Sequence, residues 1–365
     1  MKINRVIISG GGTGGHIFPA LAIANEIKRR NPEADILFVG ALGKMEMEKV
    51  PAAGYKIVGL PIAGLQRKLT LSNFALPFKL VNSLYKAYKI LKDFKPEVVV
   101  GVGGYASGPT LRAAIFAGIP TLIQEQNSFP GKTNKLLAGK VKAICTAYDG
   151  MEKFFPQEKI VETGNPVRAE MVDIAGKKEE AQKHFGLDPA KKTILVIGGS
   201  LGARTLNESV MAGIEAVQQK DTQVLWQCGK FYFEKMQAAL RETDHEGIFL
   251  NEFISRMDLA YAAADAIISR AGAISVSELC LVEKPAILVP SPNVAEDHQT
   301  KNAMALVEKN AAVLVKDADA SGSLISVALE LLKDEVKMQE LSDSIRKLGK
   351  PQATAMIVDQ LERIR

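Results

Sequence analysis

Cysteine is scarce: Cys145, Cys228 and Cys280 are the three in a chain of 365 residues. They lie far apart in apolar contexts, which argues against a disulfide framework and a cysteine metal site, and favours a reducing compartment. No run of about 18 apolar residues occurs, so no membrane-spanning helix is expected. No secretory leader is expected: Lys2-Ile3-Asn4-Arg5 runs straight into a strand pattern, without an apolar core or a small-residue cleavage site. Excess charge is also small. A formal net charge of +5 does not by itself imply nucleic acid, and none is expected as a partner. These absences together suggest a cytoplasmic protein.

The length favours two domains, because single cores stop growing near roughly 250–300 residues. Hydrophobic residues at 47% and charged residues at 24% fit a globular chain. Short β-branched runs alternate with helix-period segments, the pattern of α/β parallel sheets covered on both faces. Strands are expected at 3–9, 34–39, 55–60, 97–102, 120–124, 142–146 and 160–163. The pattern restarts at 193–198, 223–227, 247–251, 266–269, 285–289 and 313–316. Between the two series lies Gly164-Asn165-Pro166-Val167-Arg168, where Asn-Pro disfavours helix and the glycine allows a bend. Domains are therefore expected at 1–166 and 167–350. Residues 351–365 read as an amphipathic helix, with Ala355, Ile357, Val358, Leu361 and Ile364 apolar.

Two glycine-rich turns follow apolar strands and open helices: Ser9-Gly10-Gly11-Gly12-Thr13-Gly14-Gly15-His16 and Gly198-Gly199-Ser200-Leu201-Gly202. A side-chain-free turn at a helix N-terminus presents backbone N–H groups, which suits phosphate. Gly10, Gly12 and Gly15 fit the spacing of a dinucleotide fingerprint, but that motif wants an acid closing the second strand. Here the second strand ends in Gly40, and the strand after Gly202 ends in Gln227. A nicotinamide cofactor is therefore disfavoured, and two nucleotide folds facing a cleft suggest an enzyme. His16 falls in the first turn of its helix, where the dipole favours neutral imidazole able to accept a proton. From its position alone it reads first as a histidine capping its helix or bonded within the turn.

Gly103-Gly104-Tyr105-Ala106-Ser107-Gly108-Pro109 and Gln124-Glu125-Gln126-Asn127 also end strands, so both are placed at the sheet edge where ligands gather. In the second half Glu278 sits early in a helix, either accepting ribose hydroxyls or simply stabilised by the dipole. Glu296, Asp297 and His298 are consecutive on a helix and point in different directions, so no metal site is expected.

Taken together, Gly11–His16, Gly103–Pro109, Glu125–Asn127, Gly164–Arg168, Gly198–Ala203 and Arg270–Glu278 resemble the MurG family of N-acetylglucosaminyltransferases. The resemblance implies a GT-B fold of two Rossmann-like, doubly wound domains facing across a cleft, with the C-terminal helix crossing back to the first. It implies transfer of GlcNAc from UDP-GlcNAc to the 4-hydroxyl of lipid I, giving lipid II for peptidoglycan, without a cofactor or metal. By the same resemblance Thr13, Gly14 and Gly15 approach the donor, and Asn127 contacts the sugar. Arg168 and Ser200 fall near the diphosphate, and Ile254 meets uracil through its backbone. Ala273, Ile274, Ser275, Val276, Ser277 and Glu278 line the nucleotide, with Glu278 on the ribose and Gln299 on the GlcNAc hydroxyls. The chain departs from some relatives at Ala271–Ser275, where a hydroxyl is kept, and at Thr300, where a second Gln is replaced.

An inverting displacement needs a base for the acceptor hydroxyl, for which His16 is the first candidate and Glu125 the second, or else an orienting group. From Arg67 to Lys95 seven basic residues interleave with aromatic and aliphatic ones against Asp93 alone. That segment reads either as an ordinary helix with a solvated lysine face, or as contact with an anionic membrane. A polyprenyl-diphosphate acceptor favours the second, placing the protein peripherally on the cytoplasmic face of the bacterial plasma membrane. The rival assignments are another UDP-sugar enzyme of this fold, such as a lipid glycosyltransferase or a UDP-GlcNAc 2-epimerase, and a non-catalytic nucleotide-sugar-binding subunit.

Overall fold

The structure, a computed structural model, describes residues 2–62, 76–199 and 201–365. The first sheet contains β1 (Arg5–Ser9), β2 (Asp35–Ala41), β3 (Lys56–Leu60), β4 (Val98–Gly101), β5 (Thr121–Glu125), β6 (Ala143–Thr146) and β7 (Ile160–Glu162). Their order is β3-β2-β1-β4-β5-β6-β7. The second contains β8 (Lys192–Ile197), β9 (Thr222–Gln227), β10 (Ile248–Asn251), β11 (Ala266–Ser269), β12 (Ala286–Leu288) and β13 (Val313–Leu314), ordered β10-β9-β8-β11-β12-β13. Every pairing is parallel. All thirteen expected strands are present.

The β-branched runs are strands because both of their faces are covered. In β1, Val6 and Ile8 face one apolar layer while Ile7 faces the other. In β8, Ile194 and Val196 face one layer and Leu195 the opposite one. Alternation on two buried faces leaves no polar side, which is why these strands read as unbroken apolar runs. Strand order reverses between β1 and β4 in one sheet, and between β8 and β11 in the other. The carboxyl ends of those four strands are where an open α/β sheet places its ligand.

The chain forms two compact units, residues 1–167 with 350–365, and residues 168–349. The helix Ala353–Ile364 completes the first unit. Ile357, Val358 and Leu361 are fully buried against Val6, Ile8, Ile23 and Ile27. Arg30 fixes its outer face, pairing with Asp359 at 2.6 Å and donating to the Ala355 carbonyl at 2.9 Å. Among the described residues, no helix is long and apolar enough to cross a membrane.

Truncating one of these side chains tests the dependence. Leu361→Ala should destabilise the first unit by about 2–4 kcal/mol, as expected for a large-to-small change in a closed core. Urea unfolding should show an earlier first transition, with the unfolding of residues 168–349 unshifted.

Candidate functional site

In the first unit, the turn after β1 is built against two others. Thr13 caps the helix Gly14–Arg30 from an extended conformation, and its carbonyl accepts from the N–H groups of His16 and Ile17. Gly104 has φ +86° and lies so close to Gly11 that an added Cβ would stand 2.3 Å from the Gly11 oxygen. A Cβ on Gly103 would stand 2.8 Å from the His16 ring. The glycines of the β4 turn are therefore required by close packing. They bring that turn against the His16 imidazole.

His16 is half-buried. Its Nδ1 lies 2.9 Å from the Gly11 carbonyl oxygen and 3.4 Å from Thr13 Oγ1. The tautomer with the proton on Nδ1 makes the shorter contact a hydrogen bond and leaves Nε2 the basic nitrogen. Below this turn is a carboxylate that the sequence did not mark. Glu46, 1% exposed, accepts from Gly12 N–H at 2.7 Å and from Ala41 N–H at 2.9 Å.

Glu125 is buried at the end of β5 and accepts from four donors. Asn127 N–H and Asn127 Nδ2 reach Oε1 at 3.0 and 3.3 Å; Gly131 N–H and Asn134 Nδ2 reach Oε2 at 3.1 and 2.7 Å. This is the geometry of a group that shapes the 125–134 loop and aims Asn127. Gln124 and Gln126, expected to present their side chains at the edge, are instead buried and bonded inward. Gln126 Nε2 donates to the Val102 carbonyl and to Gln124 Oε1 at 2.7 and 2.6 Å. Gln124 donates to Asn165, and Asn165 donates to the Gln126 carbonyl, each at 3.0 Å.

In the second unit, a cavity of about 620 Å³ opens at the carboxyl ends of β8 and β11. Its lining includes Gly198, Gly199 and Gly202 from the glycine turn, Ser275 near the start of the helix Ala273–Val282, and Gln299. Gly202, at φ +86°, packs so tightly on the Cys228 carbonyl that any side chain would collide with it. Arg270 forms part of the wall, donating to the Val289 carbonyl at 3.0 Å and to Asp317, which also accepts from Thr205. Gln299 accepts from Ser291 N–H at 2.9 Å. Ser200 lies outside the described residues.

A second group in that unit surrounds Glu278. Tyr261, nearly fully buried, donates its hydroxyl to Glu278 Oε2 at 2.9 Å. Burial raises the Glu278 carboxyl above its ordinary value, while the Tyr261 hydrogen bond and the Arg168 charge pull it part of the way back. Glu278 and Arg168 thus share a neighbourhood, but neither lines the cavity. On the same helix, Ala273 and Val276 are buried, and Ser277 Oγ donates back to the Ala273 carbonyl at 3.0 Å. Ile274, Ser275 and Glu278 are the half-buried positions with side chains available to a ligand. Ile254 is buried, and its N–H donates to Gln227 Oε1 at 2.9 Å. Among the described residues, no group of His, Cys, Asp or Glu side chains is arranged to hold a metal ion.

Residues 6–146 match the glycosyltransferase family 28 N-terminal domain, and residues 193–357 match the family's C-terminal domain. Two Rossmann-like sheets with these matches define a glycosyltransferase of the GT-B α/β fold. The chain is 55% identical over 364 residues to a protein of Parabacteroides distasonis, covering 100% of this chain and 99% of that one. It is 57% identical over 363 residues to one of Cytophaga hutchinsonii, covering 100% and 97%. Both are named UDP-N-acetylglucosamine--N-acetylmuramyl-(pentapeptide) pyrophosphoryl-undecaprenol N-acetylglucosamine transferase. The crystal structure of Acinetobacter baumannii MurG superposes with a TM-score of 0.78 at 30% identity, over 98% of this chain and 99% of that one. The chain belongs to glycosyltransferase family 28, among the members that carry that transferase name.

The raised Glu278 carboxyl has a defined sign for stability. The folded chain keeps this proton at a pH where the unfolded chain has lost it, so stability falls as pH rises through the raised value. Ligand-free Glu278→Gln should therefore melt at or above the wild-type temperature at pH 8. Its advantage should vanish as the pH falls below the ordinary glutamate value of 4.5. A melting-temperature series across that range checks it.

Proposed function

We propose that this chain transfers N-acetylglucosamine from UDP-GlcNAc to the 4-hydroxyl of the N-acetylmuramyl residue of lipid I, forming lipid II. The observation that carries the reading is full-length identity of 55–57% to proteins bearing that transferase name. The polar cavity over the Gly198–Gly202 turn supports it as a place for a diphosphate. The 4-hydroxyl oxygen attacks C1 of GlcNAc, and the bond from C1 to the phosphate oxygen breaks. UDP leaves with the electron pair, and the α-linked donor gives a β-linked product.

In this scheme His16 Nε2 takes the hydroxyl proton, with Nδ1 directed at the Gly11 carbonyl. Glu125 aims Asn127 at the sugar rather than accepting a proton, because both of its oxygens already accept N–H groups. Thr13, Gly14 and Gly15 approach the donor from the first unit. In the second, Glu278 takes the ribose, residues 273–277 and Ile254 hold the nucleotide, and Gln299 reads the GlcNAc hydroxyls. Arg168, Ser200 and the N-terminus of the helix Arg204–Ala212 stabilise the departing diphosphate.

The acceptor's lipid tail requires a membrane surface, and the helix Leu76–Phe94 supports contact with one. Phe78, Val81, Tyr85 and Tyr88 recur on one helical face and are exposed, as is neighbouring Phe116, at 80% for Phe78 and 83% for Phe116. Val81, Tyr85, Tyr88 and Phe116 line an apolar groove of about 420 Å³ with Leu84 and Arg112. The inward face is made by Ser83, Ala87 and Leu91. An apolar stripe that stays in solvent is the opposite of an ordinary amphipathic helix. Exposed Lys79, Lys89 and Lys92 add attraction to anionic lipid, whereas Lys86 is tied to the Gly59 carbonyl at 2.9 Å. Arg67, Lys68 and Phe74 of the basic segment lie outside the described residues. We place the protein peripherally on the cytoplasmic face of the bacterial plasma membrane.

Purified chain should convert UDP-GlcNAc and a short-chain lipid I analogue to UDP and the disaccharide product in equal amounts. Formation of an epimerised UDP-sugar, or no turnover without an added protein, would favour the rival assignments. His16→Ala should lower kcat by about 10²–10⁴, the usual worth of a general base, with little change in the KM for UDP-GlcNAc. Flotation with anionic vesicles should capture the wild type and release a variant carrying Lys79→Glu, Lys89→Glu and Lys92→Glu. Equal capture of both would remove the membrane assignment.

A further inference from the structure

We infer that Glu46 is a positioning residue for His16, acting through the one peptide group that joins Gly11 to Gly12. The inference rests on the reading of His16 as the base. The Gly12 N–H that donates to Glu46 Oε2 at 2.7 Å belongs to the same amide as the Gly11 carbonyl that faces His16 Nδ1 at 2.9 Å. Amide resonance couples the two ends: an anionic acceptor on the N–H places more electron density on the oxygen, so each hydrogen bond strengthens the other. The carboxylate therefore reaches the imidazole as one does in a Ser-His-Asp triad, with a peptide interposed. It holds the proton on Nδ1, orients the ring and directs basicity to Nε2.

The surroundings are shaped for this side chain. Glu46 is 1% exposed, and its other oxygen accepts from Ala41 N–H at 2.9 Å. A Cβ at Gly40 would lie 2.6 Å from Glu46 Cγ, and one at Gly11 would lie 2.2 Å from its Cδ. Side chains are missing along the path that Glu46 takes. Gly40 stands at the end of β2, where a dinucleotide-binding unit carries an acid that points outward to a ribose. Here the acid comes from the following helix, crosses that glycine and points inward at the loop. The two N–H donors reach different oxygens of Glu46, Gly12 at Oε2 and Ala41 at Oε1. Glutamine offers one oxygen, and its amide nitrogen would face the other N–H.

Imidazole nitrogen NMR on the full chain tests the relay. The wild type should show His16 protonated at Nδ1, with Nε2 in the deprotonated form; a ring protonated at Nε2 overturns the proposal without recourse to any variant. Glu46→Gln, confirmed folded by its circular dichroism, should shift the His16 ring nitrogens towards a mixture of tautomers. Its kcat should fall about 10- to 100-fold while the KM for UDP-GlcNAc stays unchanged, and Glu46→Asp should recover part of the loss. Unchanged ring shifts in folded Glu46→Gln would reduce Glu46 to a structural brace. The two readings fail separately. If His16→Ala keeps its turnover while Glu46→Gln still moves the ring shifts, the base assignment falls and the relay stands.

Discussion

A glycine turn at the end of a buried strand leaves backbone N–H groups pointing into space with no side chain to cover them, and every one must find an acceptor. The two units meet this demand differently. In the first, the Gly12 N–H is answered from inside the protein by Glu46. In the second, the Gly198–Gly202 turn opens on a polar cavity. A donor already holding a carboxylate is poorly suited to phosphate, whereas one facing water is well suited to it. Two turns that look alike in sequence thus have different surroundings: one is tied to a buried carboxylate, the other borders a cavity.

The carboxylates Glu46, Glu125 and Glu278 follow the same logic. Glu125 and Glu46 are buried, and each oxygen accepts from at least one N–H, so both act as rigid parts of the scaffold. Glu278 receives the Tyr261 hydroxyl on one oxygen, and burial raises its proton affinity. A carboxylate with spare acceptor capacity in a desolvated place is held at a cost in stability, and a ligand hydroxyl would relieve it. Counting donors separates Glu46 and Glu125, with N–H groups on both oxygens, from Glu278, with one hydroxyl on Oε2.

The strands were legible because each is an apolar run closed by glycine, proline or a polar turn; even two-residue β13 falls within the run at 313–316. The strand-end turns were legible for the same reason. What stayed hidden was the second partner of each polar contact. Nothing near Glu46 points to Gly12, nothing near Glu278 points to Tyr261, and Arg270 meets Asp317 across a long stretch of chain. Fold-level packing makes these pairs, so periodicity carries no trace of them. The helix 76–94 was ambiguous for another reason. Apolar residues occur on both of its faces, and only the packed structure shows that Ala87 and Leu91 turn inward while Phe78 and Tyr85 do not.

The helix Ala353–Ile364 carries a consequence for biogenesis. It closes one face of the sheet that contains β1, yet the ribosome makes it after all of residues 168–349. Val6 and Ile8 must therefore wait for their final cover until residues 168–349 have been made. The second unit, contiguous in the chain, is free to mature before the first has finished. During that interval an uncovered apolar sheet face is the surface a nascent-chain chaperone would have to shield.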